Sequence, residues 1–144
     1  MSTSTVKKIP DGMHSVTPHL VCAGAPAAID FYKKAFGAVE LHRLPGPDGK
    51  LMHAAIKIGD SVIMIGGAQD KVTNGMLHLY VPDTDASYRR AVEAGAKSLR
   101  EPADQFYGDR SAGVEDAWGN TWWFATHVED VSSEEMERRM AARK

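Results

Sequence analysis

The apolar positions of this chain switch between two periods, and the switches come twice in the same order. His14 to Cys22 is a β-branched, apolar run that predicts a first strand, with Pro18 marking an edge or bulge. From Pro26 to Phe36 the period becomes helical: Ile29, Tyr32 and Phe36 share a face, flanked by Ala28 and Ala35, and Gly37 stops the helix. Val39 to Leu44, Leu51 to Ile58 and Ser61 to Ile65 then read as three strands, joined by Gly46-Pro47-Asp48-Gly49 and the tight Gly59-Asp60 turn. After a polar linker, Gly66 to Gly75, the order restarts. Met76 to Val81 is strand-like, Asp83 to Ala94 is helical with Asp83 or Thr84 as its N-cap, and Gly95 ends it. Ala96 to Leu99, Arg110 to Glu115 and Thr121 to His127 are the strands that follow. Ser132 to Arg143 is a last helix, opened by a capping box from Ser132 to Glu135.

The two halves keep step at a fixed offset. Phe36-Gly37-Ala38 and Ala94-Gly95-Ala96 are 58 residues apart, Leu41 falls on Leu99, and the Gly59-Asp60 turn falls on Ala117-Trp118. Several such coincidences in order mark a duplicated supersecondary unit. The predicted fold is α+β: two tandem βαβββ modules forming a curved mixed sheet around a cleft, plus a C-terminal helix. Residues 1–12 read as a flexible arm and 13–144 as a single domain, with modules at 13–66 and 76–128 and the helix at 132–143. A cleft of this kind is a usual place for a ligand.

Composition narrows the classes. The chain has 144 residues, 43% hydrophobic and 25% charged, enough to bury a core and remain soluble. The net charge is -2 and the basic pairs are scattered, which argues against a nucleic-acid footprint. Cys22 is the only cysteine, so neither an intramolecular disulfide nor a Cys-rich metal site is possible. No apolar run is long enough for a membrane span and the first residues carry no apolar signal core, which predicts a cytoplasmic protein.

Five segments carry a more specific likeness. Ala27-Ala28-Ile29-Asp30-Phe31-Tyr32-Lys33-Lys34-Ala35-Phe36-Gly37-Ala38 and Leu77-His78-Leu79-Tyr80-Val81 resemble the first helix and fifth strand of the vicinal oxygen chelate superfamily. That superfamily includes glyoxalase I, the bleomycin- and fosfomycin-resistance proteins and the extradiol dioxygenases. Pro45 to Gly49, Asp104 to Arg110 and Ala125 to Ser132 resemble its PhnB-like branch. The resemblance covers roughly Gly12 to Met140 and implies a homodimer. It also implies a divalent metal held by His or Glu from the first and last strands of each unit, where open positions chelate vicinal oxygens and stabilise an enediolate or similar anion.

Carried over individually, the superfamily's ligand positions fall on Thr17, near Met64, on Met76 and on Trp123, where the metal enzymes carry Glu. These four are not a credible ligand set, so no cofactor is expected. His19 and His78 lie two residues beyond two of these positions, and a strand period of two keeps them on the same face. With His53 they form an alternative, displaced three-histidine metal site; the competing reading makes all three ordinary wall or surface residues. Trp123 shares a face with Thr121 and Ala125, whereas Trp122 and Phe124 take the other and read as core. Trp123, Phe106, Tyr107, Arg110, His19 and His78 are therefore the candidate ligand-binding residues, Arg110 as a bidentate carboxylate or phosphate binder. An ion pair of Arg110 with Asp109 or Asp116 is the bland alternative, and for Glu115 a solvent-facing position competes with a general base. Three functions follow: a metal-free binder of a small aromatic or amphipathic molecule, a metal-dependent lyase, isomerase, dioxygenase or thiol-transferase, or an enzyme that acts without metal, with Arg110 and Tyr107 polarising a substrate.

Overall fold

The structure, a computed structural model, describes residues 6–67 and 74–143. Its elements are β1 (His19–Cys22), α1 (Ala25–Phe36), β2 (Val39–Pro45), β3 (Leu51–Ile58), β4 (Ser61–Gly67), β5 (Met76–Tyr80), α2 (Thr84–Glu93), β6 (Lys97–Asp104), β7 (Asp109–Glu115), β8 (Thr121–His127) and α3 (Ser133–Ala141). They build two four-stranded mixed sheets, ordered β1-β4-β3-β2 and β5-β8-β7-β6. In each sheet the first strand pairs parallel with the last, and the rest is antiparallel. This is the duplicated α+β arrangement expected from the periodicity. The chain divides into two compact units, and Lys34–Phe36 from the end of α1 belongs to the second.

In the first unit, Leu20 and Cys22 of β1, Ile29 and Tyr32 of α1, and Ala54, Ile56, Ile63 and Ile65 of the sheet are all buried. Tyr32 Oη lies 3.9 Å from Cys22 Sγ. β1 is shorter than the predicted run because Pro18 has no N–H for a ladder; its carbonyl accepts from Met64 N at 2.9 Å, just before β1 begins. β4 extends through Gly66 and Gly67 into the predicted linker, of which 68–73 lie outside the described residues. So do 1–5 of the predicted N-terminal arm.

In the second unit, α2 packs on β6, β7 and β8. Trp122, Phe124, Ala112 and Val114 form the buried face of that sheet, and the Phe36 ring stacks 4.4 Å from Trp122. The Asp116–Asn120 turn is tied by one carboxylate: Asp116 Oδ1 accepts from Trp118 N and Asn120 N, and Oδ2 accepts from Trp122 Nε1 at 3.0 Å. β6 runs five residues further than its predicted end at Leu99, with register shifts on both sides of Arg100. Asp83 caps α2 by accepting from Ala86 N. Ser132 caps α3 by accepting from Glu135 N, whereas the Glu135 carboxylate turns to Arg138 and Arg139 rather than back to the cap. Among the described residues no helix is long and apolar enough to cross a membrane.

Candidate functional site

One row of residues crosses the second sheet on the face opposite the Trp122 core. His78 on β5 is level with Trp123 on β8, Trp123 with Gly113 on β7, and Gly113 with Arg100 on β6. The indole of Trp123 lies over Gly113: a Cβ there would stand 2.7 Å from Cη2 and nearer still to Cζ3. The Arg100 guanidinium stacks on this indole, Cζ 4.9 Å from the ring centroid, and its Nη2 donates to Ser111 Oγ. Two buried donors here have no acceptor among the described residues, Arg100 Nε and Trp123 Nε1. On the same face β5 presents Met76, 76% exposed, His78, and Tyr80, 68% exposed. The result is a flat aromatic surface with a cation on it, bordered by exposed apolar side chains.

The first sheet repeats this row with other residues. His19 is level with Met64, Met64 with Ala55, and Ala55 with His42. His19 and Met64 precede His78 and Trp123 by 59 residues; Ala55 and His42 precede Gly113 and Arg100 by 58. Counting along the chain assigned the ligand positions to Thr17 and Met76, but the ladders set His19 and His78 level with Met64 and Trp123, two residues on. Thr17 precedes β1 altogether.

His53 meets His19 at 5.7 Å and His42 at 5.4 Å between ring centroids, both edge-on. Gly66 leaves the space for this, since a Cβ there would stand 2.9 Å from His19 Nε2. Burial, then the neighbouring His19 and His42, push the His53 imidazole below its ordinary pKa. The structure thus brings two of the three histidines proposed as metal ligands together, with His42 as the third contact; His78 belongs to the other unit. Among the described residues no group of three or more His, Cys, Asp or Glu is placed to hold a metal ion.

Arg110 lies on the α2 side of the sheet, opposite Trp123. It donates to Asp85 through Nε at 2.6 Å and Nη2 at 3.0 Å, and to Asp104 through Nη1 at 3.2 Å. Its cation is matched by protein carboxylates, though not by Asp109 or Asp116. Phe106 and Tyr107 contact each other edge-on in the β6–β7 loop, where Arg139 Nη1 donates to the Phe106 carbonyl and Arg143 stacks on the Phe106 ring. Gly108 (φ 99°) lets this loop touch the Glu129 backbone, and its carbonyl accepts from Val128 N and Glu129 N. His127 sits between Asp109 and Asp130 at 2.8 and 2.7 Å, and the hydrogen bonds to Asp130, then Asp109, raise its pKa. The two long C-terminal motifs are therefore mutual fastenings of this loop, the end of β8 and α3. Glu115 is partly buried and level with Lys97 and Thr121.

Arg100, Gly113, Ser111 and His42 were not among the sequence candidates. One signal for Arg100 was present: it stands one residue after the Leu41–Leu99 match, at the same offset from His42. The bulges that aim it across the sheet leave no comparable trace.

The architecture is a duplicated βαβββ module, and comparison with known proteins is specific. The family described as the Glyoxalase/Bleomycin resistance protein/Dioxygenase superfamily matches residues 12–124. This chain belongs to that superfamily. An uncharacterized protein of Mycobacterium bovis is 39% identical over 141 residues, 89% of this chain and 93% of that one. Among solved structures, the fold is shared with TioX from Micromonospora sp. ML1 (TM-score 0.65, 24% identity, 79% of this chain and 100% of that one). It is shared equally with a glyoxalase-related enzyme from Fulvimarina pelagi (TM-score 0.66, 20% identity, 84% and 94%).

Proposed function

We propose that this chain is a PhnB-like member of the superfamily that holds a small aromatic or amphipathic molecule on the Trp123 face of its second sheet, without the superfamily's metal. The seat of Trp123 carries this reading: an indole laid flat on Gly113, where the metal enzymes place a carboxylate. An aromatic plane buries the surface of a flat ligand by stacking, and exposed Met76 and Tyr80 extend the apolar area. The corresponding Met64 offers a soft thioether, poorly matched to magnesium or manganese. Arg100 adds a positive charge beside the same position, which opposes a second cation. Elemental analysis of purified protein, followed by thermal denaturation with flat ligands, tests this. Metal should be far below one ion per chain, and a ligand at a hundredfold its Kd should add about 2.7 kcal/mol of stability, lost in Trp123→Ala. Tight stoichiometric metal would overturn the reading.

The alternative is metal-dependent chemistry of the vicinal oxygen chelate type, through His19, His53 and His78. In its favour, the ladders set His19 and His78 level with Met64 and Trp123. It predicts that His78→Ala loses metal; a variant that binds metal like the parent rules out this set. Family membership further supports a cytoplasmic homodimer, which light scattering on the eluting protein checks.

A further inference from the structure

The charge balance around Arg100 differs from that of the ion-paired arginines. Arg43 pairs with Glu40, Arg110 with Asp85 and Asp104, Arg138 with Glu135, and Arg139 with Glu129 and Glu135. Arg100 is half-buried, yet its contacts are a neutral hydroxyl and an aromatic face, and among the described residues no carboxylate pairs with it. Among those residues its Nε has no acceptor, and neither has the adjoining Trp123 Nε1. A guanidinium stays charged at every physiological pH, and taking it out of water without a counter-charge is costly. Each buried N–H without an acceptor adds its own desolvation penalty. Two unpaired donors and an unneutralised cation on one face lack the same thing, an oxygen-bearing anion.

We propose that the ligand of this face is a flat organic carboxylate, or an equivalent oxyanion, whose oxygens take the hydrogen bonds of Arg100 Nε and Trp123 Nε1 while its apolar body lies toward Met76 and Tyr80. The inference rests on the binding function proposed above and names its ligand class. The fork of an arginine matches two carboxylate oxygens, and its flexible stem lets the guanidinium turn toward an incoming group. Ser111 Oγ takes Nη2, and the Nε beside it, buried and without an acceptor among the described residues, is the donor that a turned guanidinium offers the ligand. His42, at the corresponding place in the first sheet, lies against His53 instead, so the paired-donor arrangement belongs to the second sheet.

The probes are 2-naphthoate and the neutral, similarly shaped 2-naphthamide, titrated calorimetrically into the intact protein. The parent should bind naphthoate at least about tenfold more tightly than naphthamide. Arg100→Met should bring that ratio close to one while changing naphthamide affinity by less than about threefold. Trp123→Phe, which keeps a ring and loses the N–H, should weaken naphthoate more than naphthamide. Equal affinities in the parent, with binding still dependent on Trp123, would overturn the anion and leave the aromatic platform standing. A parent that binds neither compound, or a Trp123→Ala variant that binds both like the parent, would overturn both. The parent comparison needs no variant to fold.

Discussion

Replacing Gly113 by alanine places one methyl group against the ring that defines the candidate site. The new Cβ would stand 2.5 Å from Trp123 Cε3 and 2.7 Å from Cη2, against an ordinary carbon–carbon separation of about 3.5–4.0 Å. The ring or the strand must give by about 1 Å, and overpacking of this kind costs about 1–3 kcal/mol. The backbone itself raises no objection, for Gly113 is not among the positive-φ glycines and its counterpart in the first sheet is Ala55. A strand glycine replaced by alanine otherwise gains about 0.5–1 kcal/mol. Gly113→Ala should therefore destabilise the parent by about 1–2 kcal/mol and stabilise Trp123→Ala by about 0.5–1 kcal/mol, a reversal of sign. Urea unfolding of the four proteins in a double-mutant cycle reads this directly, and the same variants report ligand affinity. Equal costs in the two backgrounds, or a stabilised parent, would refute the stacking of Trp123 on Gly113.

Other residues give independent checks. His127, whose pKa is raised by Asp130 and Asp109, favours the folded state most fully below its unfolded pKa of about 6.5; this contribution is lost as pH rises through the folded value, and His127→Gln should flatten that fall in thermal unfolding. His53 has the opposite sign: its pKa is depressed, so below pH of about 6.5 the unfolded chain takes up a proton first, and His53→Asn should reduce the loss of stability on acidification. Asp116→Ala leaves the buried Trp122 Nε1 and the Asn120 N–H without their acceptor and should cost about 2–4 kcal/mol in urea unfolding, with ligand contacts on the other face intact. Arg110→Ala should lower the melting temperature without changing naphthoate affinity, because its partners are Asp85 and Asp104. An affinity loss there would return Arg110 to the site.

The elements were legible wherever a period ran unbroken. β3 and β8 have their predicted bounds because turn signals bracket both, Gly49 before Leu51 and Gly59-Asp60 after Ile58 for β3. β6 was not legible beyond Leu99: Pro102 argues against a regular strand, and the register shifts at Arg100 break the alternation that a reader follows. The same irregularity hid Arg100 from the candidate list. The face of Trp123 was legible, because Trp122 and Phe124 are apolar on the other parity and are indeed buried. The ligand row was not, since counting from a helix end crosses loops, whereas the ladder pairs His19 with Met64 and His78 with Trp123 directly. For Arg110 the sequence left a ligand contact and an ion pair both open, because the carboxylates it meets, Asp85 and Asp104, come from α2 and the end of β6 and not from its sequence neighbours Asp109 and Asp116.

The two rows also bear on how a duplicated fold acquires two different faces. His19–Met64–Ala55–His42 and His78–Trp123–Gly113–Arg100 occupy equivalent ladder positions, so the backbone offers both the same space. An indole at Met64 would meet the Cβ of Ala55, as the indole at Trp123 would meet one at Gly113. Large aromatic and glycine are thus a matched pair across β7 and β8, and neither change is tolerated alone without loss of packing. The arginine completes the second row only, its guanidinium lying on the indole. In this chain the first unit keeps histidines in mutual contact, and the second carries an indole and a guanidinium at the equivalent ladder positions.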